Sequence, residues 1–169
     1  MRDKHRRGFT LIEMLTVVAI IGLLAALLLT AVMRARTEAW RHDAKDRANQ
    51  LMVAWTSYLQ DNLSFPTATG TMAIAQMDAN TIKYLNTGTR YNQFTPYMEF
   101  TALEQTNGFR DHWNNIFQVA LDDGNSHGDA KAYDGQVTIR SGLTLTKSVA
   151  TWSYGPDGKD GTDDDCNSW

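Results

Sequence analysis

Between Met14 and Met33 the chain runs through twenty consecutive residues without a charge, and their only polar side chains are Thr16 and Thr30. A helix from Phe9 to Met33 rises ~37 Å at about 1.5 Å per residue, enough to cross a bilayer with some tilt. Glu13 stands just inside the start of this segment. A carboxylate left unpaired in hydrocarbon costs several kcal/mol on most scales, so an acid here demands a partner and marks a functional position.

The residues before it suggest that partner. Arg2, Lys4, Arg6 and Arg7 with the single acid Asp3 form a short basic leader, which the positive-inside rule keeps in the cytoplasm while sending everything after Arg34 outward. A secretory signal peptide would have a shorter apolar core followed by a small-residue cleavage site; here Gly8 precedes the core. Cutting between Gly8 and Phe9 leaves an α-amine four residues from Glu13. In a lone helix the two charges pair locally. In a bundle of parallel copies a neighbour's amine pairs with Glu13, and the charge becomes an assembly register.

Gly8-Phe9-Thr10-Leu11-Ile12-Glu13 resembles the prepilin leader junction of type IV pilins and type II secretion pseudopilins, and the similarity continues through Gly22-Leu23-Leu24-Ala25-Ala26-Leu27. The resemblance implies that a prepilin peptidase cuts after Gly8 and N-methylates Phe9. The mature subunit then waits in the inner membrane before entering a helical filament, with Glu13 guiding assembly. The rival reading is a plain membrane anchor whose Glu13 stays wet at the cytoplasmic interface. Where most of the family has a proline, this chain has Thr30, so a proline kink is not expected there.

The segments divide as leader 1–8, membrane or filament-core helix 9–33, amphipathic continuation 34–62 and globular region 63–169. About 135 residues follow the span, enough for one small domain. Without residues 1–8 the chain carries 12 Lys+Arg against 18 Asp+Glu, a formal balance of −6, which disfavours a nucleic-acid partner. The lone Cys166 cannot close an internal disulfide, so an exported domain must be held by packing or another staple.

From Arg34 to about Asn62, Ala44, Ala48, Leu51, Met52, Trp55, Tyr58 and Leu59 recur at three and four, while Arg41, Asp43, Lys45, Asp46 and Arg47 occupy other faces. One long helix is expected, apolar all round and then amphipathic, with Trp55 and Tyr58 packed on a sheet. Phe65-Pro66-Thr67 should stop it. Residues 67–110 show little periodicity; Ala73–Met77 and Tyr97–Leu103 each suit a short helix or strand, and the whole reads as a variable connection. Alternation then predicts strands over Phe117–Leu121, Gln136–Arg140 and Ser148–Tyr154. The fold class is α+β, the pilin fold: a long N-terminal helix, transmembrane then amphipathic, packed on a small antiparallel sheet. Asp111-His112-Trp113-Asn114-Asn115-Ile116-Phe117 resembles the D-P-W-G-N-P-Y segment of major pseudopilins, with His112, Asn114 and Ile116 departing from proline, glycine and proline.

Near the C-terminus, Asp157, Asp160, Asp163, Asp164 and Asp165 fall within nine residues, interleaved with glycines. Such a run suits either a solvated loop or a hard divalent cation that relieves the repulsion; calcium accepts carboxylates and carbonyls at ~2.3–2.6 Å, whereas zinc favours His or thiolate. The spacing is not that of an EF-hand. Trp152-Ser153-Tyr154-Gly155-Pro156-Asp157-Gly158 and the closing Asp163-Asp164-Asp165-Cys166-Asn167-Ser168-Trp169 resemble the S-L-G-A-D-G loop and D-A-D-I-T-N-W ending of type II secretion major pseudopilins, whose C-terminal loop binds calcium. The resemblance implies a calcium ion held by Asp157, Asp163 and Asp165 with the backbone carbonyl of Tyr154. Asp160 and Asp164 fall where the family requires no acid and stand as substitutes or solvated groups. Cys166 replaces an aliphatic residue and should be buried. Asp122-Asp123-Gly124-Asn125-Ser126-His127-Gly128-Asp129 reads as a solvated hairpin turn ahead of a second metal site.

No catalytic motif emerges from His5, His42, His112 and His127, so an enzyme is not expected. The resemblance implies a major pseudopilin of a type II secretion system, a single-pass inner-membrane protein with a periplasmic domain that polymerises with itself and with minor pseudopilins to drive protein export. Its partners would be the prepilin peptidase, an inner-membrane platform protein and the assembly ATPase machinery. The alternative is a type IV pilin of a surface filament serving adhesion, motility or DNA uptake. A monomeric membrane-anchored binding domain is a third reading; it predicts no cleavage at Gly8 and no dependence on Glu13.

Overall fold

The computed structural model describes residues 9–66, 74–87, 95–122, 135–139 and 142–169. In chain order the elements are α1 (Leu11–Asn62), β1 (Ile74–Gln76), α2 (Ala79–Asn86), α3 (Ala102–Asn107), β2 (Gln118–Leu121), β3 (Val137–Thr138), β4 (Thr144–Leu145), β5 (Val149–Ser153), a 3-10 turn at Gly155–Asp157 and β6 (Cys166–Asn167). The chain divides into two compact units, Met1–Ala39 and Trp40–Trp169.

In the first unit α1 is exposed on every side and is long and apolar enough to cross a membrane. Its few hydroxyls are satisfied within the helix. Thr16 donates to the Glu13 carbonyl at 3.0 Å, Thr30 to Leu27 at 2.9 Å and Thr37 to Met33 at 3.1 Å, so these side chains add no unpaired polar group to an apolar surface. The helix continues through Thr30 without interruption.

In the second unit, Ala44, Ala48, Leu51, Ala54 and Trp55 form the buried face of α1, matching the spacing at three and four read from the sequence. A four-stranded antiparallel sheet, ordered β1-β2-β5-β6, packs here. Val119 pairs with Thr151 and Leu121 with Val149, and Val119, Leu121, Val149 and Cys166 share one core with the helix residues. Alanines at 44 and 48 let backbone and strand come close: the Thr151 hydroxyl donates to the Ala48 carbonyl at 2.6 Å. The other face is also covered. Ala120, Ala150 and Trp152 pack with Val137 and Ile139 of the β3–β4 pair, and Tyr154 and Trp169 close over them. All five residues of β5 are therefore buried.

Helix α1 ends at Asn62, where the spacing placed its end; Leu63 turns into the left-handed region at φ 58 while its N–H bonds the Leu59 carbonyl at 2.8 Å. Strand boundaries differ from the sequence expectation. The strand expected over Phe117–Leu121 begins at Gln118 and is paired with the earlier β1. The strand expected over Gln136–Arg140 is reduced to Val137–Thr138, with Arg140 outside the described residues. In the 67–110 region, Asp78 caps α2 by accepting from the N–H groups of Asn80 and Thr81 at 3.1 and 2.8 Å. Thr101 and Glu104 form a reciprocal capping box on α3. Arg47 of α1 anchors this region: its guanidinium pairs with Glu104, donates to the Arg110 carbonyl at 2.9 Å and lies 4.2 Å over the Phe109 ring. Asp122 is fully buried, accepting from the Gly135 N–H at 2.8 Å, so it is not part of a solvated turn; residues 123–129 lie outside the described ones.

Candidate functional site

Three groups of residues carry the chemistry anticipated from the sequence. The first is the start of α1. Gly8 lies outside the described residues, and Phe9 is exposed directly before the helix. Thr10-Leu11-Ile12-Glu13 is a capping box. The Glu13 carboxylate accepts from the Thr10 N–H at 2.8 Å and its hydroxyl at 2.7 Å, while the Glu13 N–H reaches the Thr10 oxygen at 3.3 Å. The pattern T-x-x-E was legible in the sequence but went unread beside the charge argument. Its consequence is physical: in the single chain the acid already has a partner, supplied by the helix N-terminus and its favourable dipole.

The second group is the turn at 111–115. Asp111 is only 7% exposed. Its Oδ1 accepts from the N–H groups of Trp113 and Asn115 at 2.9 and 2.8 Å, and its Oδ2 from Asn115 Nδ2 at 3.1 Å and from the Ser153 hydroxyl. Asn114 sits at φ 71, where the resembling motif has glycine; asparagine is among the few residues that tolerate this region. His112 faces α1, with Nε2 2.9 Å from an Asp43 carboxylate oxygen and its ring stacked on Trp40 at 5.3 Å. Trp113 meets Trp40 edge-on at 5.9 Å.

The third group is the C-terminal loop. Asn115 Nδ2 reaches across to the Gly155 carbonyl at 2.7 Å. A Cβ on Gly155, whose φ is +65, would lie 2.2 Å from the Asp164 carbonyl oxygen; only glycine lets the closing acidic stretch pass here. Thr162 gathers the carboxylates: its Oγ1 lies 2.7 Å from Asp164 Oδ1, 3.4 Å from Asp157 Oδ1 and 3.5 Å from Asp165 Oδ1. Backbone donors add Lys159 N to Asp157 at 2.8 Å, Asp157 N to Asp164 at 3.1 Å and Gly161 N to Asp165 at 2.8 Å. Asp160 is turned elsewhere and accepts from the Trp152 indole at 2.9 Å. Asp163 is exposed. Asp164, which the resemblance did not require, thus stands with Asp157 and Asp165, whereas Asp163 stands apart.

The Thr162 hydroxyl holds Asp164 below the usual carboxylate range, while burial pushes Asp165 up. Burial also raises the Cys166 thiol to about 11. Cys166 is buried in β6, so its expected apolar role agrees with its place.

Among the described residues no group of three His, Cys, Asp or Glu side chains is gathered at metal-holding distance. Three carboxylate oxygens do face one hydroxyl, which has a single proton to give.

The chain is similar to known proteins both at its N-terminus and along its length. The family described as "Prokaryotic N-terminal methylation motif" matches residues 3–29. "Type II secretion system core protein G" of Escherichia coli (strain K12) is 29% identical over 167 residues, 99% of this chain and 92% of that protein. The protein of the same name from Klebsiella michiganensis is 28% identical over 170 residues, covering 100% of this chain and 96% of the relative. The chain is thus similar from end to end to proteins named type II secretion system core protein G and carries the N-terminal methylation motif. A third relative of that name, from Pseudomonas aeruginosa, is 38% identical over 66 residues, 39% of this chain and 46% of its own length. No solved structure matches this chain significantly. The match at residues 3–29 spans the Thr10–Glu13 capping box, and the end-to-end alignments take in the 111–115 turn and the acidic loop.

Proposed function

We propose that this chain is a structural subunit of a type II secretion pseudopilus, held in the inner membrane by α1 and polymerised into a periplasmic filament that drives export. The observation that carries the reading is the end-to-end similarity to two proteins named type II secretion system core protein G. It covers the globular unit as well as the N-terminus that pilins and pseudopilins share.

In this account a prepilin peptidase cuts after Gly8 and methylates Phe9. The new amine lies beside Glu13, whose carboxylate is held by Thr10 in the single chain. A neighbouring subunit's amine competes for that carboxylate during assembly, supplying away from water the full countercharge that the Thr10 donors lack. The platform protein, the assembly ATPase and minor pseudopilins act on the subunit from outside, and no catalysis is assigned to it.

The acidic loop is proposed to hold calcium through Asp157 and Asp165, the Tyr154 carbonyl, and Asp163 or Asp164. Bound there, calcium would neutralise converging carboxylates and fasten β6 to β5 in place of a disulfide. Saturating calcium should raise the melting temperature of the full chain in detergent micelles and slow alkylation of Cys166, and a chelator should reverse both. Equal melting and alkylation with and without calcium would remove the ion from the account.

The secretion role is tested by deleting the gene in its host. Export substrates should accumulate in the periplasm while surface adhesion and motility persist, and the intact chain should restore export where Glu13→Ala does not. Normal export in the deletion strain with lost surface filaments would favour the type IV pilin alternative.

A further inference from the structure

The second unit opens with an aromatic cluster that its own packing leaves partly uncovered. Trp40 on α1 and Trp113 in the 111–115 turn meet edge-on at 5.9 Å, and His112 stacks on Trp40 at 5.3 Å with ring planes 13° apart. Both indoles are half-buried, and the His112 side chain is 39% exposed. Asp43, an acid that touches the cluster, has a carboxylate oxygen 2.9 Å from His112 Nε2, which gives it a donor inside the patch. Paired rings with an apolar body and polar nitrogen edges are the composition of a contact surface, and of the one where apolar and wet layers meet above all.

The chain before the cluster says which surface that is. The uncharged run ends at Met33, and Arg34 and Arg36 are the first charges after it; arginines at such a boundary keep their stems in the apolar layer and their heads among phosphates. Trp40 follows Met33 by seven residues within the continuous helix α1, ~10 Å of rise. Side chains on a helix lean back toward its N-terminus, here toward the apolar run. The headgroup layer outside the hydrocarbon is about 5–8 Å thick on each side, within reach of a ring set back in this way. Tryptophan is enriched in that layer because its ring takes the apolar side and its N–H the wet one.

We propose that Trp40, His112 and Trp113 form a lipid-contact patch that inserts into the headgroup layer of the membrane spanned by α1. The proposal rests on the membrane reading above and deepens it: before assembly the subunit is held by the span and by this patch, and extraction must release both.

The test uses the full chain in phosphatidylcholine vesicles, with brominated phosphatidylcholine as the probe, since bromine quenches indole fluorescence only at short range. Flotation first shows whether the chain is in the lipid. The apolar run holds no tryptophan, and Trp55 and Trp152 are each 1% exposed, so they form the unquenched background. Bromines high on the acyl chain should quench the wild type more than bromines near its end. The double variant Trp40→Phe, Trp113→Phe should lose the greater part of that quenching, with thermal melting confirming its fold. Should it fail to fold, the two substitutions are read singly, and the depth profile of the wild type needs no variant. Quenching that survives in the folded double variant belongs to Trp169 and overturns the patch. Quenching that appears only at high protein-to-lipid ratio assigns the cluster to a second copy and overturns it equally. A chain that floats with equal emission in brominated and plain vesicles overturns the patch and leaves the membrane reading standing, whereas a chain that does not float overturns both.

Discussion

At Gly155 the backbone itself sets the limit: a methyl group would meet the Asp164 carbonyl at 2.2 Å in a conformation that L side chains rarely adopt. Gly155→Ala should therefore destabilise the full chain by about 3 kcal/mol or more, seen as an early thermal melt. Leu63 presents the reverse case, a 73% exposed leucine at φ 58 where helix ends favour glycine. Leu63→Gly should stabilise by about 0.5–1 kcal/mol, because relief of the left-handed strain exceeds the added chain entropy; denaturant titration would show the gain. Tyr58 is half-buried, and its pKa is raised by desolvation first and by Tyr97 and Tyr84 after that. The sign follows from the neutral form being favoured in the fold. Its contribution is complete below about pH 10, the unfolded value, and is lost as pH rises through the raised folded value. Tyr58→Phe should flatten the alkaline loss of stability above pH 10 in denaturation series.

At the scale of elements, α1 and β5 meet closely at Ala48 and Thr151. Ala44 and Ala48 are both fully buried and the Thr151 hydroxyl approaches the Ala48 carbonyl to 2.6 Å, so there is no room for a larger side chain. Ala48→Leu should cost about 1–3 kcal/mol by overpacking, with faster amide exchange in Thr151 and its strand neighbours. The buried face of α1 was legible in the sequence because spacing at three and four survives wherever one helix face meets a core. The short elements between 74 and 107 were not. With strands of three residues and helices of six to eight, periodicity has no length in which to develop. The caps were nevertheless written there: Thr101-Ala102-Leu103-Glu104 and Thr10-Leu11-Ile12-Glu13 are both capping boxes. β6 escaped notice because two residues, Cys166 and Asn167, pair with Ser153 and Trp152 inside a run read only for its acids.

For the whole molecule, the legible parts were those that composition dictates. The apolar half of α1 and the single carboxylate within it follow from residue types. The acidic loop was visible as a cluster, but its inner arrangement was not. Spacing gave no reason to expect Thr162 at the centre of three carboxylates, Asp164 among them, or Asp160 held by Trp152. Those choices depend on where glycines let the backbone turn and on which donors the sheet supplies. Likewise Asp111, read as part of a turn, is the buried acceptor that joins that turn to β5 through Ser153 and, by way of Asn115, to Gly155. The central claim is that the mature subunit begins at Phe9 and works within the periplasm. Mass spectrometry of the chain recovered from inner membrane and from mechanically sheared surface material tests this most directly. The account predicts an N-methyl-Phe9 species in the membrane and none in the sheared fraction, whereas an intact Met1 start in every fraction would contradict it.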